Sequence, residues 1–96
     1  MRVIYLREAE IEMLETVAFY EDKSVGLGAD FLDEVHKTVQ FIKIMPEAPP
    51  LINSYARRVL LRRFEYGIVY RIFNNQIIIL AVMHLKRRPN YWVGRK

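Results

Sequence analysis

The hydrophobic period of the chain changes once, and the change falls across PEAPPLINSY, residues 46–55. Before that segment apolar residues recur at helical spacing. After it they alternate or run continuously, as they do in strands. Pro46, Pro49 and Pro50 remove backbone donors, so the segment itself cannot be a central strand. A helical half followed by a strand half in 96 residues fits one domain, residues 1–96, of the α+β class. The expected order is β-α-α-β-β-β: an N-terminal strand and a two-helix hairpin packed on one face of a small, mostly antiparallel sheet.

RVIYL (2–6) reads as the first strand, and REAEIEMLETVAFYED (7–22) as an amphipathic helix. At 100° per residue, Ala9, Ile11, Met13, Leu14, Val17, Ala18 and Tyr20 share a broad face. Glu12, Glu15 and Thr16 lie opposite, and Phe19 falls on the polar side, where it is expected to pack against the next helix, with a partner contact as the alternative. KSVGLG (23–28) breaks the helix with two glycines. A second helix is predicted from Leu27 to Met45, where Pro46 stops it. Phe31, Leu32, Val35, Val39 and Ile42 form its apolar stripe. Such a short break between helices implies an antiparallel hairpin.

Beyond the prolines, ARRVLLRRF (56–64), YGIVYRIF (66–73) and QIIILAVMH (76–84) read as strands. Asn74 and Asn75 between the last two tolerate the positive φ angles of a type I′ turn. A two-residue loop pairs Phe73 with Gln76, Arg71 with Ile78, and finally Glu65 with His84. Tyr66, Ile68, Tyr70, Ile72, Ile77, Ile79, Ala81 and Met83 then share the face expected under the helices. The other face carries Val69, Ile78, Leu80 and Val82 between polar ends, with His84 at its rim. With no remaining element large enough to cover it, that strip is expected to be a partner site.

Net charge is +4, but it is divided unequally. Residues 1–48 hold five Lys/Arg and ten Asp/Glu, a net of −5; residues 49–96 hold ten Lys/Arg and one acid, Glu65, a net of +9. Eight of those ten cations are arginine, which suits planar grip of phosphate or carboxylate. A nucleic acid or an acidic protein is therefore the expected partner of the C-terminal half. The absence of cysteine excludes disulfides, thiolate metal sites and a cysteine nucleophile. The N-terminus has no signal-peptide pattern and no apolar run is long enough to span a bilayer, so a cytoplasmic, membrane-free protein is expected.

The FYE…GLGADFLDEV helix joint, the RRFEYGIVYRI strand pair and the AVMHLKRRPNYW ending occur here in one order and at one length. Together they resemble the RelE/ParE superfamily of type II toxin–antitoxin toxins, across nearly the whole chain. The resemblance implies the fold above, a role in growth inhibition and plasmid stabilisation, a cognate antitoxin and a toxin–antitoxin hetero-oligomer. It also implies one of two targets: ribosome-bound mRNA, cleaved without metal by RelE-like members, or DNA gyrase, inhibited by ParE-like members. Arg58 falls where RelE-like members keep a catalytic lysine. Leu60 and Gly67 fall where they keep a second lysine and an arginine. His84, Arg87 and Pro89 look more like the ParE side, so the ParE-like branch is favoured.

Metal-free RNA cleavage needs a base for the 2′-OH, an acid for the leaving oxygen and cations for the phosphorane. Arg58, His84, Arg87 and Tyr91 are the candidates, with Glu65 as the expected partner of His84. The plainer alternative for His84 is an edge histidine bonded to Glu65 or to backbone. Arg57, Arg62, Arg63, Arg71, Lys86, Arg88 and Trp92 are the partner-binding candidates. For the arginines the alternative is charge protecting an edge strand; for Trp92 it is a tail folding back on the core. His36 and His84 are distant in sequence and no thiolate accompanies them, so neither a metal nor a cofactor is expected. HLKRRPNYW reads as a working edge, because Pro89 forces the chain to turn just after three cations.

Overall fold

The computed structural model describes residues 1–95. The elements are β1 (Arg2–Tyr5), α1 (Arg7–Lys23), α2 (Leu27–Ile44), β2 (Ala56–Leu60), β3 (Tyr66–Phe73) and β4 (Gln76–His84). Among the described residues they form a two-helix layer and a four-stranded sheet in the order β1-β4-β3-β2. β1 pairs parallel to β4 and the other neighbours are antiparallel, so the sheet is mixed.

The helix joint is tied by one side chain. Gly26 takes φ 87°, a left-handed conformation that glycine adopts without a Cβ penalty. The Glu21 carboxylate accepts from Gly26 N–H at 3.0 Å and from Gly28 N–H at 3.1 Å. It thereby satisfies donors that the start of α2 would leave unpaired. A Cβ on Gly28 would lie 2.5 Å from the Val17 carbonyl oxygen, so the helices cross where only glycine fits.

α2 buries the expected stripe of Phe31, Val35, Val39 and Ile42. α1 does not. Its buried residues are Ala9, Met13 and Thr16, while Ile11 and Leu14 are 42% and 54% exposed and Ala18 also faces out. The rotation toward Thr16 and Glu12 follows from polar contacts that hydrophobic periodicity does not register: Thr16 Oγ1 donates to Glu12 C=O at 2.8 Å, and the Glu12 carboxylate meets the edge of β4. Phe19 is not packed on α2; it is 53% exposed.

Asn74 and Asn75 have φ of 51° and 58°, as a type I′ turn requires. The expected register holds from Phe73–Gln76 to Tyr70–Ile79, then shifts: Val69 faces Ala81 and Tyr66 faces His84. Leu80 is the extra residue of a β-bulge. Past it every β4 side chain changes face. Ile68, Tyr70, Ile77, Ile79 and Val82 pack under the helices, and Tyr66 carries His84 to the same side. Ala81 and Met83, expected there, lie on the other face. β2 is also shorter than expected. It ends at Leu60 because Phe64 (φ 78°) turns back into the core against Tyr20 and Phe31, which leaves Arg62 and Arg63 in a loop.

The second face is not an open apolar strip. The C-terminal segment crosses it and buries Trp92 to 2% exposure among Ala56, Val69, Leu80, Ala81 and Met83. Asn90 (φ 62°) makes the bend that brings it there.

Candidate functional site

The polar centre of the molecule is Glu12, whose side chain is 11% exposed. Its carboxylate accepts from Tyr91 Oη at 2.7 Å, from both Arg95 terminal nitrogens at 3.0 and 3.1 Å, and from Val82 N–H at 3.1 Å. Arg87 Nη1 reaches it more loosely, at 3.4 Å. Arg95 also donates to Leu80 C=O at 3.0 Å. Arg87 stacks on the Tyr91 ring, 3.9 Å from its centroid. Burial, and next the hydrogen bond to Glu12, hold the Tyr91 phenol well above its ordinary pKa. Burial disfavours the charged form of Arg95, yet the bond and charge of Glu12 outweigh it and raise its pKa. Tyr91 is thus a neutral donor fixed on an anion.

The ribonuclease candidates divide: His84 and Arg87 line one notch beside Glu12, and Arg58 stands apart from them. Arg58 is exposed and pairs with Val69, on the tail-facing side of the sheet. His84 faces the helices, half-buried, 5.0 Å from the Tyr66 ring, with Nδ1 accepting from Lys86 N–H at 3.0 Å. The expected His84–Glu65 pairing is absent because of the bulge; Glu65 C=O instead accepts from Leu85 N–H. Arg87 and Tyr91 do meet, but on Glu12.

The partner-binding candidates divide. Arg57 is spent on the proline-rich loop, donating to Glu47 C=O at 2.9 Å and Pro49 C=O at 2.6 Å. Arg71 lies between the Tyr55 and Phe73 rings, its centre 4.7 and 4.9 Å from theirs, with Nε buried and unpaired among the described residues. Arg63 forms an exposed pair with Asp30 at 3.4 Å, an interaction worth little in water. Lys86 and Arg88 are exposed beside Arg87, and Arg62 is exposed in its loop. Trp92, a partner-binding candidate whose alternative is a tail folding back on the core, follows the alternative and is buried. Glu12 and Arg95 were not singled out by the sequence. A lone helical Glu and an arginine three residues past a tryptophan carry no spacing signal; only the fold brings them together.

Two concavities stand out among the described residues. A groove of about 510 Å³ separates α2 from the outer edge of β2 and is lined by Thr38, Phe41, Val59, Leu60 and Arg62. Around it Phe41, Ile44, Met45 and Leu60 are 43%, 78%, 51% and 53% exposed. A notch of about 260 Å³ lies between α1 and the end of β4, beside Glu12. No helix among the described residues is long and apolar enough to cross a membrane.

Residues 3–89 match the family model described as ParE toxin of type II toxin-antitoxin system, parDE. Toxin ParE2 of Mycobacterium tuberculosis, found in two strains, is 32% identical over 87 residues, spanning 84% of this chain and 78% of its own. A structure of the chromosomal ParDE TA system from P. aeruginosa superposes with a TM-score of 0.66, covering 90% of this chain and 97% of that one. At 17% identity that likeness is one of fold.

Proposed function

The chain belongs to the ParE toxin family of type II toxin–antitoxin systems, and on that premise we propose that it is a growth-inhibiting toxin that acts by binding, with DNA gyrase as its target. The observation that carries this reading is the separation of Arg58 from His84 across the sheet, with Tyr91 engaged on Glu12. General acid–base cleavage needs its groups within hydrogen-bond reach of one substrate. Here Arg58 and His84 lie on opposite faces of the sheet, and the Tyr91 proton is committed to Glu12. Leu60 and Gly67 stand where the resemblance to RelE-like members implies a lysine and an arginine. What remains available is a surface: Lys86, Arg87 and Arg88 on a turn anchored from below by Trp92.

The toxin is held inactive in the cytoplasm by a cognate antitoxin in a hetero-oligomer. The groove between α2 and β2 supports that partner, in place of the strip that Trp92 covers. Its exposed apolar residues sit beside an edge strand, a combination that fits an amphipathic helix or an added strand. Purified protein, tested in parallel for inhibition of gyrase supercoiling and for cleavage of ribosome-bound mRNA, separates the two targets. Inhibition without mRNA cleavage, relieved by the product of the neighbouring reading frame, is the expected result. Cleavage that collapses by roughly 10²–10⁴-fold in His84→Ala would replace the binding reading with acid–base chemistry.

A further inference from the structure

Trp92 and the segment that carries it cover only part of the tail side of the sheet, over Ala56, Val69, Leu80, Ala81 and Met83. Toward the Asn74–Asn75 turn the same side opens. Register places Arg2 and Ile4 of β1, Gln76 and Ile78 of β4, and Arg71 and Phe73 of β3 there. Arg2 and Phe73 are exposed and the other four half-buried. The charge on this side has one sign. Every charged strand residue that faces it is an arginine: Arg2, Arg58 or Arg71. No Asp or Glu faces it from a strand, and residues 85–95 contain none.

Arg71 is the unusual member. Its guanidinium centre lies 4.7 Å from the Tyr55 ring centroid and 4.9 Å from that of Phe73. Nε is buried without a protein acceptor among the described residues, and the side chain forms no ion pair there. A cation fixed between two rings and given no acceptor is costly to the fold alone, and such an orphaned donor points to a ligand. The stack also extends beyond Arg71. Tyr55 meets Trp92 edge-on, with ring centroids 6.5 Å apart. Indole, phenol ring, guanidinium and phenyl ring thus follow one another from the covered half to the open half. The last of them, Phe73, is 50% exposed.

An exposed ring beside an uncompensated guanidinium matches a nucleobase beside its phosphate: the base stacks and the arginine donates to the phosphate oxygens. Arg2 lies across Gln76 from Phe73 and supplies a second phosphate contact. The floor between them is Ile4 and Ile78. Those side chains offer nothing to a 2′-OH and suit a thymine methyl, which favours DNA over RNA. Stacking on Phe73 needs an unpaired base, which favours a single strand over a duplex. An acidic peptide fits less well. Gln76–Ile79 is paired with β1 on one side and β3 on the other, so the middle of this surface has no open backbone group to give it. The place is also distinct from the ribonuclease positions. Gly67 lies four residues along β3 from Arg71, about 13 Å away. The Arg58 stem runs over Gly67, with Cγ and Cδ 3.4 Å from where a Cβ there would stand.

We infer that the open half of the tail side binds single-stranded DNA, with a base stacked on Phe73 and the flanking phosphates held by Arg71 and Arg2. The contact is one of binding without cleavage. It does not rest on the gyrase assignment, and its test contains no gyrase.

The probe is a fluorescein-labelled oligothymidine, titrated with the purified full chain and read by anisotropy at several salt concentrations. In the ¹⁵N-labelled protein the amides of Arg71, Phe73, Gln76 and Ile78 should shift. Phe73→Ala, at a half-exposed position that leaves folding intact, should weaken binding at least about fivefold, the lower end for one lost stacking contact. Phe73→Trp should keep the affinity, and its added fluorescence should be quenched by the oligonucleotide. Arg71→Gln should weaken binding and lower the slope of log affinity against log salt by about one. Lys43→Gln removes the same charge from an exposed position on α2 and should change neither. Shifts that fall instead at residues 86–88 or on the β2 edge, or that do not occur, overturn the proposal. So do undiminished binding by Phe73→Ala, equal losses in Arg71→Gln and Lys43→Gln, or equal or tighter binding of oligouridine, a duplex of the same length or a polyglutamate peptide.

Discussion

The sheet covers its two faces by different means. The helix side is a broad core to which two helices contribute Phe31, Val35, Val39, Ile42, Ala9 and Met13, backed by an aromatic group of Tyr20, Phe31, Phe64 and Tyr66. The tail side rests on one indole over small and medium side chains, with the segment behind it tied down by the Glu12 cluster. Many contributors make a core tolerant of small losses. A single anchor makes a face that is either covered or bare. The cations assigned to the working edge, Lys86, Arg87 and Arg88, stand on the side that depends on the single anchor.

The largest expected effects compare the two anchors directly. Phe31→Ala and Trp92→Ala each remove a fully buried ring, at a cost of about 3–5 kcal/mol. They should differ in kind. Phe31→Ala should lower the whole unfolding transition, with helix and sheet probes moving together. Trp92→Ala should first release residues 85–95, seen as lost amide protection there while Ile68 and Ile79 stay protected. If both variants melt as a single unit with uniform loss of protection, the tail is integral to the core and the contrast fails.

Much of this layout was legible in the sequence and some was not, for physical reasons. The helix hairpin, the asparagine turn and the element order follow from local signals: period, glycine, proline and residues that tolerate positive φ. The α2 stripe was legible because its apolar residues fall on one arc. The apolar face of α1 is broad, so periodicity could not say which part of that arc the sheet would take. The bulge at Leu80 leaves no mark in QIIILAVMH, a run apolar at almost every position that reads equally well in either register. That one residue moved His84 away from Glu65 and to the helix side, and with it went the expected catalytic grouping. The Glu12–Arg95 pair spans most of the chain, and no spacing rule connects residues so far apart.

Breaking the cluster should cost less than removing the anchor. Glu12→Gln keeps the shape but leaves Arg95 facing a neutral amide and should cost roughly 2–3 kcal/mol, read by chemical denaturation. Tyr91→Phe removes one bond to a charged acceptor, about 1.5–3 kcal/mol. Its alkaline behaviour is more telling. The folded state holds the phenolic proton more tightly than the unfolded chain, whose phenol has the ordinary value of 10.0. The stability owed to that group is complete below this pH and is lost as pH climbs from there through the raised folded value. Tyr5, Tyr20 and Tyr70, raised chiefly by burial, add to the same alkaline loss. Tyr91→Phe should therefore flatten the decline in stability above pH 10 without abolishing it. An unchanged slope would mean that the phenol is not held on Glu12.

The smallest expected effect decides how α1 sits. Met13 and Leu14 are adjacent, similar in size and equally apolar, and periodicity placed both in the core. Met13 is 8% exposed and Leu14 is 54% exposed. Met13→Ala should cost about 2–5 kcal/mol through the cavity it leaves. Leu14→Ala removes little that is buried and keeps a strong helix former, so stability should change by no more than about 0.5 kcal/mol. Comparable losses from the two substitutions would mean that the helix is rotated toward the face its sequence suggests. In that orientation Glu12 could not reach Val82, and the carboxylate and the tail it ties down would both have to be placed elsewhere. The near-silence of Leu14→Ala is thus the least conspicuous result to obtain and the one on which the geometry of the working edge most directly depends.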